Sequence, residues 1–349
     1  MEGFIIDKTI HTPTLRLVIT GATGFVGQAL LRQLRGLPEG SVQAKILVRE
    51  DQFVLDDDLR GSVEVIKGEL PYPPSALCFK DPFVLIHFGT KQIDHDKSGF
   101  ERINVEGTRN LLKELSKGAV GYIYGSSMSV YGSGSQERIK EDHPLNPKTD
   151  LAKSRKKAED LIMGEAEKTG RTAYILRPRF VIGHRDRFTL NSFLKLYQKR
   201  VKIGSGDQIY SFMDVDDYAS IIFYLAQRIL DRSSSEIEPA RVLNVGYSRP
   251  LSYNEIMDIF KAVIPGEHEK AVFITISDLI LNLSQKFPFR LARSLATKLD
   301  LVGFSHCGDV RALETTGLGE ITGKDPREIF KNMVKRQIES SRFPGKGNI

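Results

Sequence analysis

The segment from Leu15 to Gly27 reads Leu-Arg-Leu-Val-Ile-Thr-Gly-Ala-Thr-Gly-Phe-Val-Gly, and it restricts the fold more than any other stretch. Leu15, Leu17, Val18 and Ile19 make a short apolar run suited to a strand buried on both faces. Gly21, Gly24 and Gly27 follow, and apolar residues then recur at helical spacing from Phe25 to Leu34. A strand, a glycine turn and a helix in that order fit a dinucleotide site. Gly21 permits the tight turn, Gly24 lets the backbone come close to a pyrophosphate, and Gly27 lets the helix pack closely. Unpaired N–H groups at the helix start supply the anion contact. The spacing is G-x-x-G-x-x-G rather than the commoner G-x-G-x-x-G.

The 349 residues suffice for one large core, or for a core with a smaller second domain. A net charge of +6 suits an anionic ligand such as a dinucleotide. It does not call for nucleic acid, because 50 basic residues are interspersed with 44 acidic ones. Cys78 and Cys307 form no metal motif and no disulfide framework, which fits a reducing compartment. Met1 to Pro13 lacks the apolar core of a signal peptide, and no run reaches the roughly 18 apolar residues of a membrane span. The expectation is a cytoplasmic protein with no membrane span and no metal.

Further strands are expected at Ala44–Val48, Val63–Ile66, Phe83–Phe88, Gly121–Gly125 and Ala173–Leu176. Helices are expected at Phe100–Leu115 and, strongly basic, at Thr149–Met163. Strands alternating with helices point to βαβ units and a parallel sheet covered on both faces. No internal repeat is present. The end of the chain, from Gln337 to Ile349, is polar and is expected to be mobile.

The order of motifs carries a family resemblance. Thr-Gly-Ala-Thr-Gly-Phe-Val-Gly is followed by Gly68-Glu-Leu, Val84-Leu-Ile-His-Phe-Gly, Asn104-Val-Glu-Gly-Thr-Arg-Asn, Ser126-Ser-Met-Ser-Val-Tyr-Gly, Leu176-Arg-Pro, Ile203-Gly-Ser-Gly and Met213-Asp-Val-Asp-Asp. This series resembles the extended short-chain dehydrogenase/reductase family, which includes NAD-dependent epimerases and dehydratases. The resemblance runs from about Leu15 to about Lys331. It implies an α/β fold, a Rossmann-type doubly wound parallel sheet with a small C-terminal substrate domain. The expected division is 1–180 and 208–247 for the dinucleotide-binding domain, 181–207 and 248–336 for the substrate domain, and 337–349 for the tail.

The resemblance assigns cofactor contacts to Gly21, Thr23, Gly24, Phe25, Val26, Gly27, Glu69, Leu70, Phe88, Gly89, Asn104, Arg155 and Pro178. Arg49 stands 22 residues after Gly27, where NAD-preferring proteins place an acidic residue against the ribose 2′-hydroxyl. A guanidinium there can pair with a 2′-phosphate, so NADP is favoured over NAD. Asp51 competes, because it would repel that phosphate. His87 is read as a packed strand residue.

Members of the family use a Ser, a Tyr, and a Lys four residues after the Tyr. The Tyr moves a proton, the Lys lowers its pKa and holds the nicotinamide ribose, and the Ser bonds the substrate oxygen. Ser127 matches the serine. Aligning Pro147, Ser154, Ala158 and Glu159 with the family pattern puts Leu151 at the Tyr position and Arg155 at the Lys position. No tyrosine in the chain has a lysine four residues later. Leucine has no proton to give, and arginine can hold a ribose but does not titrate. Tyr124, Tyr131, His143, Asp150 and Lys153 are the alternative proton carriers by proximity in sequence.

Two readings stay open. One is an atypical NAD(P)-dependent oxidoreductase or epimerase/dehydratase-type enzyme acting on a small molecule. The other is a non-catalytic dinucleotide-binding scaffold, sensor or complex subunit, and a homodimer is one option for its assembly. The arginine that meets a diphosphate in sugar-nucleotide members is missing before Phe212, although Arg179, Arg185 or Arg187 could replace it. Val272–Leu283 is expected to be a helix over the substrate, or else a membrane-surface element followed by Lys286, Arg290, Arg293 and Lys298. Asn282-Leu-Ser284 matches a glycosylation acceptor by chance.

Overall fold

The computed structural model describes residues 14–49, 53–94, 98–186, 188–231, 240–264, 274–276 and 299–342. The chain divides into two compact units. The first contains residues up to Val130, then Pro147–Arg177 and Asp216–Leu243, and the second contains Tyr131–Asn146, Pro178–Val215 and Asn244 onward. The sequence reading placed 131–146 with the nucleotide-binding part, whereas here it belongs to the second unit. The reason is visible in Tyr131, whose hydroxyl donates to Asn244 Oδ1 at 2.8 Å, and in Gln136, whose N–H donates to Ser305 O at 2.7 Å.

The first unit is built on a seven-stranded sheet. Its strands are β1 (Leu15–Thr20), β2 (Val42–Val48), β3 (Val63–Lys67), β4 (Phe83–His87), β5 (Ala119–Gly125), β6 (Thr172–Pro178) and β7 (Ala240–Val245), in the spatial order β7-β6-β5-β4-β1-β2-β3. The pairings from β3 across to β6 are parallel. Every residue of β4 is buried, as a strand covered on both faces requires. This is a Rossmann-like α/β fold. Its order reverses between β1 and β4, so the ends of these two strands open a crevice where ligands of such sheets bind.

Four helices of this unit matter to the site: α1 (Phe25–Leu34), α2 (Gly107–Leu115), α3 (Asp150–Thr169) and α4 (Val215–Leu230). Thr149 caps α3, its hydroxyl accepting from Ala152 N–H at 3.1 Å. The helix runs past its expected end at Met163 and stops at Gly170, which takes up the left-handed conformation with φ 62°. Its inner face buries Ala158, Ile162 and Ala166 against Tyr122, Tyr124 and Ile175 in one core cluster.

The second unit packs Phe180, Phe193, Tyr210, Phe212 and Phe330 around helices Tyr253–Val263 and Pro326–Arg342. One expectation is corrected here. Within the stretch expected as a helix, Ile274–Ile276 is a strand running parallel to Val201–Ile203. Alternating apolar and hydroxyl residues suit an edge pairing as well as a helix turn, and pairing decided it. The helix Pro326–Arg342 buries Val334 in the aromatic core. The rest of Val272–Leu283, the basic residues after it, Asn282 to Ser284, Met1 to Pro13, Asp51, Arg187 and the residues after Arg342 lie outside the described residues. Among the described residues no helix is long and apolar enough to cross a membrane.

Glu159 of α3 and Arg177 of β6 form an ion pair at 2.6 Å, with side-chain exposures of 0% and 2%. Arg177 Nε also donates to Glu159 Oε1 at 3.0 Å, and Ser126 Oγ donates to the same oxygen. Breaking a buried pair from one side leaves an uncompensated charge, which costs about 3–5 kcal/mol. Glu159→Ala should therefore lower the unfolding free energy by about that amount in a urea titration. The double change Glu159→Leu with Arg177→Met should cost clearly less, because it leaves neither charge behind.

Candidate functional site

The carboxyl ends of the parallel strands gather most of the residues singled out from the sequence. After β1 the chain turns at Gly21, whose φ is +77°, and a Cβ there would stand 2.5 Å from the Phe88 carbonyl carbon. Gly27 is tighter, since a Cβ would lie 2.2 Å from Gly21 O and 2.5 Å from Ala22 Cα. The role of Gly27 is thus to bring α1 down onto the turn itself. A Cβ on Gly24 would meet only Gly21 O, at 3.2 Å, and its other surroundings are open. Thr23 and Gly24 are exposed, and Phe25 and Val26 are partly buried. Gly24 is the N-cap of α1, and no side chain caps it. The first N–H groups of α1 therefore face outward as a ready anion contact.

Arg49 is exposed at the end of β2. Glu69 is exposed after β3, while Leu70 is buried against Gly107 of α2. Phe88 and Gly89 follow β4. Gly89 N–H donates to Thr20 Oγ1 at 3.1 Å, and the Phe88 ring lies edge-on to Tyr218, centroids 5.8 Å apart. Gly125 leaves space for that ring, as a Cβ there would be 2.3 Å from Phe88 Cε1. Pro178 ends β6 and is the first residue of the second unit.

Asn104 is fully buried, and its side chain is used up within the protein. Its Oδ1 accepts from Lys91 N–H at 2.7 Å, and its Nδ2 donates to Lys91 O at 3.2 Å and Ser154 Oγ at 3.0 Å. It ties the segment after β4 to α3, so it shapes the site without an unused donor for a ligand.

Leu151 and Arg155 lie one turn apart on α3, both partly buried. Arg155 Nη2 donates to Gln92 Oε1 at 2.7 Å, while its Nε is closed off from solvent and makes no hydrogen bond. Burial lowers the guanidinium pKa, and Tyr124, Tyr218 and Glu159 oppose that shift. The hydroxyls of Tyr124 and Tyr218 are likewise buried without a hydrogen bond. Burial raises both phenols, Tyr124 and Tyr218, and the charge of Arg155 pulls each back in part. Three unpaired polar atoms around one cation are unusual in an interior, where most such groups are satisfied. Tyr218 was missed by sequence reasoning, because nothing local in Val215-Asp-Asp-Tyr marks it.

Ser127 is partly buried, and its Oγ accepts from Ser129 N–H at 3.1 Å, leaving its own proton to donate. The other candidate proton carriers fall into two groups, two in the second unit and two exposed on α3. Tyr131 and His143 belong to the second unit, with Tyr131 bonded to Asn244 and His143 exposed. Asp150 and Lys153 are exposed. Among the described residues no cluster of three or more His, Cys, Asp or Glu could hold a metal ion.

With this geometry in view, the comparisons with known proteins are specific. A sequence model described as the NAD dependent epimerase/dehydratase family matches residues 17–246. The chain belongs to that family. It is an extended short-chain dehydrogenase/reductase, a group of epimerases, dehydratases and related oxidoreductases. An Escherichia coli O157:H7 relative, N-acetyl-alpha-D-glucosaminyl-diphospho-ditrans,octacis-undecaprenol 4-epimerase, is 27% identical over 218 residues, covering 61% of this chain and 63% of that protein. The match thus spans less than two thirds of that relative's length. The Bordetella bronchiseptica enzyme WbmG, solved in complex with NAD, superposes with a TM-score of 0.67 at 18% identity over 97% of each chain. The terminal R domain from the myxalamid PKS-NRPS pathway gives a TM-score of 0.70 at 19% identity, covering 95% of this chain and 92% of the domain. These two structures share the epimerase/dehydratase fold with the chain.

His87 provides a pH test of this region. It is buried between Thr20 Oγ1, 2.6 Å from Nδ1, and Thr108 Oγ1, 2.9 Å from Nε2. Thr108 donates its own proton to Asn104 O at 2.7 Å, so Nε2 must carry a hydrogen and Nδ1 must accept from Thr20. Burial lowers the His87 pKa to about 4. The unfolded imidazole takes up its proton near pH 6.5, well before the folded one. Stability should therefore fall as pH drops from about 6.5 toward 4, with roughly 3 kcal/mol at stake from this residue. His306, lowered by its own burial, adds to the same slope. His87→Gln should flatten the pH dependence of unfolding between these limits, and an unchanged slope would exclude His87 as its source.

Proposed function

We propose that the protein is an NAD(P)-dependent oxidoreductase of the epimerase/dehydratase type, acting on a small molecule with a modified proton-transfer site. The observation that carries this reading is the Arg155 guanidinium, seated on α3 beside Tyr124 and Tyr218 with its Nε unpaired. The open side of Gly24 and the uncapped start of α1 fit a pyrophosphate, which Gly21, Thr23, Gly24, Phe25, Val26 and Gly27 would hold. Arg49 would pair with a 2′-phosphate and favours NADP over NAD. Glu69, Leu70, Phe88 and Gly89 would flank the adenosine half, and Arg155 would hold the nicotinamide ribose. The cofactor, when bound, supplies the hydride chemistry.

The chain's own contribution would depart from the family pattern at Leu151. If Leu151 occupies the position of the family tyrosine, the residue that usually moves the proton is apolar. Arg155 then keeps the holding role of the lysine without a phenol to activate. Ser127, with its proton available, would donate to the substrate oxygen. Positioned acid–base help is worth about 10² to 10⁴ in rate, so reduction of generic ketones, aldehydes or nucleotide sugars should be slow. The similarity to a 4-epimerase and to an enzyme solved with NAD supports a dinucleotide and an oxidisable substrate.

Calorimetric titration with NADPH and NADH tests the cofactor assignments. Arg49→Glu should cost NADPH about 1.5–3 kcal/mol more than NADH, as expected for loss of a charge-assisted bond. Arg155→Met should weaken both equally, and absence of binding by the wild type would end the oxidoreductase reading. Leu151→Tyr combined with Arg155→Lys should raise the rate of NADPH oxidation with a simple ketone. Cofactor binding without hydride transfer to any substrate class would instead favour a dinucleotide-bound scaffold.

A further inference from the structure

The segment after β4 is tied to α3 immediately beside Arg155. Lys91 is fastened by both of its backbone groups: its N–H donates to Asn104 Oδ1 at 2.7 Å, and its carbonyl accepts from Asn104 Nδ2 at 3.2 Å. The same Nδ2 donates to Ser154 Oγ at 3.0 Å, one residue before Arg155 on α3. Asp94 anchors the other side, its Oδ2 accepting from Gly99 N–H at 2.7 Å and its Oδ1 pairing with Lys91 Nζ at 2.6 Å. Gln92 stands between these two anchors and is exposed to solvent. All of these residues belong to the first unit.

Gln92 Oε1 accepts from Arg155 Nη2 at 2.7 Å, and Gln92 Nε2 donates to Thr90 Oγ1 at 2.8 Å. Thr90 N–H in turn donates to Phe88 O at 2.8 Å, just past the end of β4. The bond to Thr90 agrees with the way the amide faces, because a reversed amide would set its N–H against the N–H of the guanidinium. Among the described residues this is the one hydrogen bond that Arg155 makes. An arginine side chain without it would sample several rotamers, and a ligand would have to order it on binding. The kind of acceptor matters as much as its place. Glu159 takes Arg177 at two points with a carboxylate and neutralises it. Gln92 takes Arg155 at one point with a neutral oxygen, so the charge and the other N–H donors stay available to a ligand.

We propose that Gln92 is a positioning residue of the dinucleotide site, holding the Arg155 guanidinium in place through a neutral acceptor so that its charge and remaining donors serve the cofactor. This rests on the reading of Arg155 as the residue that holds the nicotinamide ribose. Gln92 acts through Arg155 and need not touch the cofactor.

Calorimetric titration of the full chain with NADPH and NADH tests this in a double-mutant cycle. Gln92→Met should weaken both cofactors about three- to tenfold. Gln92→Glu should weaken both further, because a carboxylate neutralises the guanidinium. Both losses should shrink once Arg155→Met is present, whereas a direct contact or simple charge repulsion would persist there. The urea midpoint of Gln92→Met should match the wild type, since Gln92 is exposed. Without any cofactor, the proton–nitrogen NOE of Arg155 Nε should drop in Gln92→Met, which reports a guanidinium set loose. A loss of affinity undiminished beside Arg155→Met, an unchanged affinity in either Gln92 variant, a lowered urea midpoint or an unchanged NOE would each overturn the proposal. A wild type that binds neither cofactor would end the oxidoreductase reading and this proposal with it. Wild-type binding without any effect of the Gln92 substitutions would overturn this proposal alone.

Discussion

The close approach of α1 to the turn that follows β1 is the constraint on which the first unit depends. Gly27 sits where a single added carbon would overlap the Gly21 carbonyl, and Gly21 sits where one would overlap the Phe88 backbone. These two contacts fix the angle of α1 and the separation of β1 from the end of β4. They also explain why the N–H groups of α1 point outward at the crevice. A side chain at Gly27 would not merely cost packing energy. It would tilt the helix away from the place where its dipole can act on an anion.

Around this turn much of the described polar interior is hydrogen-bonded. His87, Thr20, Thr108 and Asn104 form a chain of hydrogen bonds that joins β1, β4 and the segment leading into α2. Asn104 and Ser154 extend it to α3, and Glu159 with Arg177 ties α3 to β6. Against this background the unpaired atoms of Arg155, Tyr124 and Tyr218 stand out. The hydrogen-bonded network beside them holds these three in fixed positions, which is what a preorganised polar site requires.

Much of the fold was legible because parallel sheets bury both faces of their strands. Apolar runs such as Phe83–Ile86 can then only be central strands, and glycines beside them mark the turn into a helix. The proton-carrier candidates were legible only as types of residue. Tyr131 lies close to Ser127 in sequence, yet its hydroxyl is bound to Asn244 in the other unit. Tyr218 is distant in sequence, yet it lies within the field of Arg155.

The alternation of strands with helices and the glycine turn follow from local pattern and spacing. These features depend on steric and hydrophobic rules that act over a few residues. The assignment of 131–146 to the second unit, the strand at Ile274–Ile276 and the isolation of Arg179 depend on partners far along the chain. Only packing brings Phe180 under one guanidinium and Glu159 against another, and no spacing rule distinguishes Arg177 from Arg179 two residues later. Burial with a carboxylate makes the first a structural bolt, whereas the second has no carboxylate in hydrogen-bond reach among the described residues.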